Sequence, residues 1–144
     1  MLEIAQIEKG DVLYDLGSGD GRIVVAAAKK YGIKAVGFEI DPVLVKDSRQ
    51  IIKQAGLDAL VEIREQDIRT VDFSPANVVT MYLYPAANLR LRPVLMRQLQ
   101  PGSRVVSHDF GMGSWKPDRV VRLDDPAGLP RTIYLWRIAE PRSR

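Results

Sequence analysis

The chain alternates between short apolar runs and longer stretches with helical spacing. VLYDL (Val12 to Leu16), AVGFE (Ala35 to Glu39), LVEIR (Leu60 to Arg64), VVTMYL (Val78 to Leu83) and RVVSH (Arg104 to His108) read as strands. Between them lie three predicted helices: Gly21 to Tyr31, stopped near Gly32; Pro42 to Gln54, opened by Asp41 and stopped by Gly56; and Ala86 to Leu99, stopped by Pro101 and Gly102. Such a rhythm predicts an α/β three-layer sandwich around a mostly parallel sheet, because parallel neighbours require crossover connections. The last third breaks it. Val120 to Leu123 and Thr132 to Ile138 are strand-like and joined through Asp124, Asp125, Pro126, Gly128 and Pro130, with no room for a helix. They are expected to pair antiparallel at one edge, giving seven strands. No repeat, low-complexity tract or linker interrupts residues 1–144, which read as one domain.

Composition narrows the setting. With 46% hydrophobic and 27% charged residues, the chain has the polarity of a globular domain, and no apolar run approaches the ~20 residues of a membrane span. Glu3 and Glu8 stand where an export signal would be basic and then apolar. There is no cysteine, which excludes a disulfide frame, a thiolate metal site and a cysteine nucleophile. A cytoplasmic setting is expected, and no metal site. The net charge of +3 is unevenly spread: residues 1–72 hold 10 Lys or Arg against 13 Asp or Glu, and residues 73–144 hold 11 against 5. Arg90, Arg92, Arg97 and Arg104 could serve a nucleic acid or an acidic protein surface, but a solvated helix face accounts for them better, since no aromatic ladder accompanies them.

The chemistry concentrates in YDLGSGDGRIV, residues 14–24, where Gly17, Gly19 and Gly21 follow the first strand. In an open parallel sheet the loop after the first strand is the usual ligand contact. The spacing is not the G-x-G-x-x-G of dinucleotide sites, because Arg22 occupies the third-glycine position. Asp15 and Asp20 would repel a pyrophosphate and attract a cation. A zwitterionic nucleoside bearing a sulfonium and an amino group fits better. Glu39, ending the second strand in GFEID, can accept from both ribose hydroxyls, although dinucleotide sites also place an acid there. Asp67 in EQDIR can accept from an adenine amino group, while the Ile68 N–H donates to a ring nitrogen.

DLGSGDG at 15–21, GFEID at 37–41, QDI at 66–68 and the closing hairpin together resemble the class I S-adenosylmethionine-dependent methyltransferases, with their Rossmann-like seven-stranded fold. DLGSGDGRIV, GFEIDPVLV and RVVSHDFGMGSW are more narrowly similar to the lysine methyltransferases of the ATP synthase c subunit and the adenine nucleotide translocase, and to their prokaryotic relatives. The resemblance implies S-adenosylmethionine as cofactor and S-adenosylhomocysteine as product. The expected contacts are Asp15, Leu16, Gly17, Ser18, Gly19 and Arg22 around the methionine end. Glu39 and Ile40 would hold the ribose, Asp67 and Ile68 the adenine, and Tyr82 would face the methyl group. In those families a segment before the first strand helps close the pocket. Here about ten residues, MLEIAQIEKG, precede it, which implies an open pocket, cover from another chain, or a natural beginning beyond these residues.

The acceptor side is expected at the tip of the fourth strand, TMYLYPAAN, with Tyr82, Tyr84 and Pro85 as its wall. Equally, the two tyrosines can be ordinary strand residues alternating with Met81 and Leu83. His108, the single histidine, ends the fifth strand beside that tip and has the ordinary pKa of a base, ~6.5. Trp115 either shapes the entrance or covers the core, and Asp124 and Asp125 read as turn residues. YLYP is not the Asn/Asp-Pro-Pro-Tyr loop of adenine, guanine or glutamine amino-group methylation. The reading is methyl transfer, foremost to a protein lysine. A small molecule or an RNA is the alternative acceptor, and a non-catalytic cofactor- or partner-binding module the alternative class.

Overall fold

The computed structural model describes residues 2–139. Seven strands, β1 (Val12–Leu16), β2 (Lys34–Glu39), β3 (Val61–Glu65), β4 (Val78–Met81), β5 (Arg104–His108), β6 (Arg119–Asp124) and β7 (Pro130–Arg137), form one sheet in the order β3-β2-β1-β4-β5-β7-β6. β1 to β5 run parallel, and β7 pairs antiparallel with both β5 and β6. The expected α/β sandwich is therefore present. The closing hairpin is threaded so that its second strand lies inside the sheet and its first forms the edge.

Both faces are covered, which is why the strands read as nearly continuous apolar runs. Leu13, Ala35, Val78 and Val106 pack beneath α1 (Arg22–Tyr31) and α2 (Pro42–Gln54), while Tyr14, Phe38, Val79 and Trp136 pack beneath α3 (Pro85–Gln98). Trp115 belongs to the second layer, its ring 5.6 Å from that of Trp136, so it covers the core. Sequence explains the helix ends: Asp41 accepts from the Val43 N–H ahead of Pro42, and Gly32 closes α1 in the left-handed region at φ 65°.

The fourth strand stops at Met81, two residues before the expected Leu83. Met81 pairs with Leu16, the last residue of β1, after which Gly17 turns away, and with Ser107, one residue short of the end of β5. Tyr82 lies beyond the ladder, and Tyr84 already caps α3 ahead of Pro85. At the opposite end of the sheet, a buried pair ties the N-terminal segment to β5. Arg104 donates to Asp11 Oδ2 at 2.7 Å and to the Gln6 carbonyl at 2.6 Å.

Candidate active site

The strand order reverses at β1, which has β2 on one side and β4 on the other, so the loop after β1 opens into the crevice between them. The loop folds down onto the sheet: the N–H groups of Gly17 and Ser18 both donate to the Phe38 carbonyl, at 2.9 and 3.0 Å. Two glycines make this possible. Gly17 has φ 70°, a left-handed conformation that a side chain disfavours. Gly37 on β2 lies directly under the loop, and a Cβ there would sit 2.6 Å from the Ser18 Cβ.

Carboxylates anchor the loop. Glu39 accepts from the Gly19 N–H through Oε1 at 2.9 Å, and from the Ile40 and Asp41 N–H groups through Oε2 at 3.0 and 3.1 Å. It thereby stands beside the glycine turn with a lone pair on Oε1 to spare. Asp15 is buried, 6% exposed, and accepts from Thr80 Oγ1 at 2.8 Å. Burial pushes its carboxyl up to about 7, and the nearby Glu39 and Asp20 add to this against the Thr80 hydrogen bond. Such a group ionises readily once a cation arrives. Ser18 Oγ is buried without a hydrogen-bond partner among the described residues.

Two depressions meet at Gly17. A small groove of about 140 Å³ runs between Glu39, Ile40, Asp67, Ile68 and Leu83. A larger cleft of about 550 Å³ opens on the other side, with Asp15 and Ser18 on its floor, Tyr82 and His108 at the strand tips, and the β6–β7 turn opposite. The expected ligand residues other than Leu16 and Gly19 line these two depressions, which share Gly17. The side chain of Leu16, 1% exposed, points into the core. Arg22 reaches the large cleft but is paired with Asp20 at 3.0 Å. The Asp67 carboxylate is occupied by the Arg69 side chain and N–H, at 2.7 and 2.9 Å, whose hydrogen bonds hold it at about 2. Asp67 meets a ligand only by sharing its remaining lone pairs.

The two tyrosines part company. Neither packs as a strand residue, since Tyr82 is 53% and Tyr84 82% exposed. Tyr82 lies edge-on to His108, ring centroids 4.2 Å apart, at the large cleft. Tyr84 lines a different depression, under α3 with Ile40, Ile68 and Leu91, and is not brought to His108. The imidazole of His108 is kept below its ordinary pKa by burial, with Asp109 opposing and Arg131 reinforcing the effect. Its neutral form is thereby favoured.

Sequence reasoning missed the far wall. Asp124, Asp125 and Arg131 line the large cleft, and Asp125 does far more than fill a turn. Arg131 bridges Asp109 Oδ2 at 2.8 Å and Asp125 Oδ2 at 3.1 Å, tying the β6–β7 turn to the end of β5. Asp109 is a non-glycine residue at φ 66°, and its Oδ1 accepts from the Thr132 N–H at 3.2 Å. A clue was available. If β7 returns beside β5, the turn preceding it must fall at the carboxyl ends of the parallel strands.

Comparison with known proteins agrees with this geometry. The ANTKMT methyltransferase domain matches residues 15–119. The protein-lysine N-methyltransferase of Saccharolobus islandicus (strain REY15A) is 41% identical over 141 residues, 97% of this chain and 87% of that protein. The Homo sapiens lysine N-methyltransferase of the ATP synthase c subunit is 41% identical over 108 residues, 75% of this chain; the match spans 46% of the human protein, about half its length. Among solved structures, the RNA methyltransferase from Salinibacter ruber in complex with S-adenosyl-L-homocysteine is 53% identical with a TM-score of 0.89, covering 99% of this chain and 90% of that one. The chain belongs to the ANTKMT methyltransferase domain family.

Proposed function

We propose that the protein is an S-adenosylmethionine-dependent methyltransferase that acts on lysine side chains of proteins. The observation that carries the choice of acceptor is the charge of the large cleft. Three carboxylates, Asp20, Asp124 and Asp125, and the Asp15 carboxyl, which burial pushes up to about 7, line it against two guanidiniums, Arg22 and Arg131, while the chain as a whole is +3. A local negative excess inside a basic protein favours a cationic acceptor and disfavours a polyanion.

The residues fit the cofactor. Asp15 is a carboxyl poised to ionise against an ammonium, Glu39 offers a lone pair beside the glycine turn, and the groove from Gly17 to Ile68 is apolar enough for a base. When bound, S-adenosylmethionine supplies a methyl group already activated on a sulfonium, so the protein's own work is binding, alignment and proton removal. Ser18, Gly19 and Arg22 border the methionine end, Ile40, Asp67 and Ile68 the adenine end. Tyr82 and His108 form the acceptor wall. His108, whose neutral form burial favours, is the group that accepts the ammonium proton, and Asp109 Oδ1, 3.8 Å from Nε2, steadies the resulting imidazolium. Tyr84 has no place in this wall. A cytoplasmic location belongs to the same proposal and rests on composition. Among the described residues, no helix is long and apolar enough to cross a membrane.

A second reading, an RNA acceptor, draws on the RNA methyltransferase from Salinibacter ruber. One experiment separates the two. The protein is incubated with methyl-labelled S-adenosylmethionine and a lysate from a strain lacking the gene. Label in protease-sensitive, RNase-resistant bands that hydrolyse to methyl-lysine is expected. RNase-sensitive label would move the assignment to RNA, and label in the low-molecular-weight fraction to a small molecule. Cofactor binding by calorimetry without label anywhere would make the domain a non-catalytic module.

A further inference from the structure

We infer that Asp124, the last residue of β6, selects acceptor lysines that have a second cationic residue beside them; this rests on the lysine reading above. The other carboxylates of the cleft are already engaged. Asp20 is paired with Arg22, Asp125 shares Arg131 with Asp109, and Asp15 is buried against Thr80. Asp124 also lines the cleft, yet among the described residues no donor meets its carboxylate. Arg122, two residues earlier and on the same face of β6, makes no ion pair with it.

The turn presents this free charge in a fixed place. The Asp125 side chain accepts from the Ala127 and Leu129 N–H groups, both at 2.9 Å, and the Asp125 N–H donates to the Leu129 carbonyl at 2.8 Å. Arg131 then bolts the turn to β5. Asp124 therefore stands at the rim, exposed and held by its backbone, across the opening from the tips that carry Tyr82 and His108. A cation on the acceptor chain next to the target lysine meets it without displacing any existing partner. The occupant is an extended, lysine-bearing peptide with a neighbouring Arg or Lys.

The test uses two fluorescent peptides with the same central lysine, one flanked by Arg and one by Glu. Binding is read by anisotropy in the presence of S-adenosylhomocysteine, and methyl transfer by mass spectrometry. The wild-type protein is expected to bind the Arg-flanked peptide about fivefold more tightly, the upper range for an exposed ion pair, and the preference should shrink with added salt. Asp124→Asn should abolish the preference and Asp124→Lys reverse it, with cofactor affinity unchanged in both. An undiminished preference in Asp124→Lys overturns the inference while leaving lysine methylation standing. Failure of the wild-type protein to bind or methylate either peptide overturns both.

Discussion

Replacing Asp15 with Asn separates what this carboxyl costs the fold from what it does for the ligand. In the unfolded chain Asp15 ionises near 3.8, and in the fold it keeps its proton up to about 7. Over that interval the native state binds more protons than the unfolded state, so its stability falls as pH rises and the loss is complete above about 7. At ~1.4 kcal/mol per pH unit the full penalty approaches about 4 kcal/mol. Asn keeps an oxygen for the Thr80 hydroxyl and removes the ionisation. Asp15→Asn should therefore gain roughly 4 kcal/mol at pH 8 but under about 2 kcal/mol at pH 5, measured by urea denaturation. It should also lose cofactor affinity. Wild-type dissociation constants for S-adenosylmethionine should fall at least about tenfold from pH 5.5 to 7.5 as the carboxylate forms, and those of the variant should stay flat. A stability gain of equal size at both pH values would show that Asp15 is not proton-bound in the fold. A variant that binds the cofactor as the wild type does would remove Asp15 from the site.

Glu39→Ala should weaken cofactor binding by ~1.5 to 3 kcal/mol in calorimetry, the range for hydrogen bonds to a charged group, and an unchanged affinity rejects its ribose role. Gly37→Ala places a methyl group against Ser18 and Ile63, so it should destabilise by ~1 to 3 kcal/mol in thermal melts and weaken the cofactor along with the displaced loop. Asp11→Ala strands the buried Arg104 guanidinium and should cost ~3 to 5 kcal/mol in chemical denaturation; combining it with Arg104→Met should recover most of that.

The parallel half of the fold was legible because its strands are buried on both faces and its helices carry their own punctuation, such as Asp41–Pro42 and Gly32. The place of the glycine loop was legible for the same reason: a loop at a reversal of strand order depends on backbone positions, and Gly17, Gly19 and Glu39 mark them. The strand-four tip was harder. VVTMYL is uniformly strand-like, yet the strand ends at Met81, where its neighbour β1 ends at Leu16, which no local pattern reveals. That early end is what sends Tyr82 and Tyr84 to separate depressions. The far wall of the cleft was hidden most deeply. Asp109, Asp125 and Arg131 are joined through space by a hairpin whose placement in the sheet, and not its existence, decides what the turn faces.

That placement also sets an order of assembly during synthesis. β6 pairs in the sheet only with β7, so a chain emerging from the ribosome can complete β1 to β5, and with them the glycine loop and the strand tips, before the hairpin docks. The far wall of the cleft comes into being only when Arg131 arrives and β7 slots in beside β5. A nascent or truncated chain ending before Pro130 would lack the far wall of the cleft, and β5 would present an open edge to any passing strand.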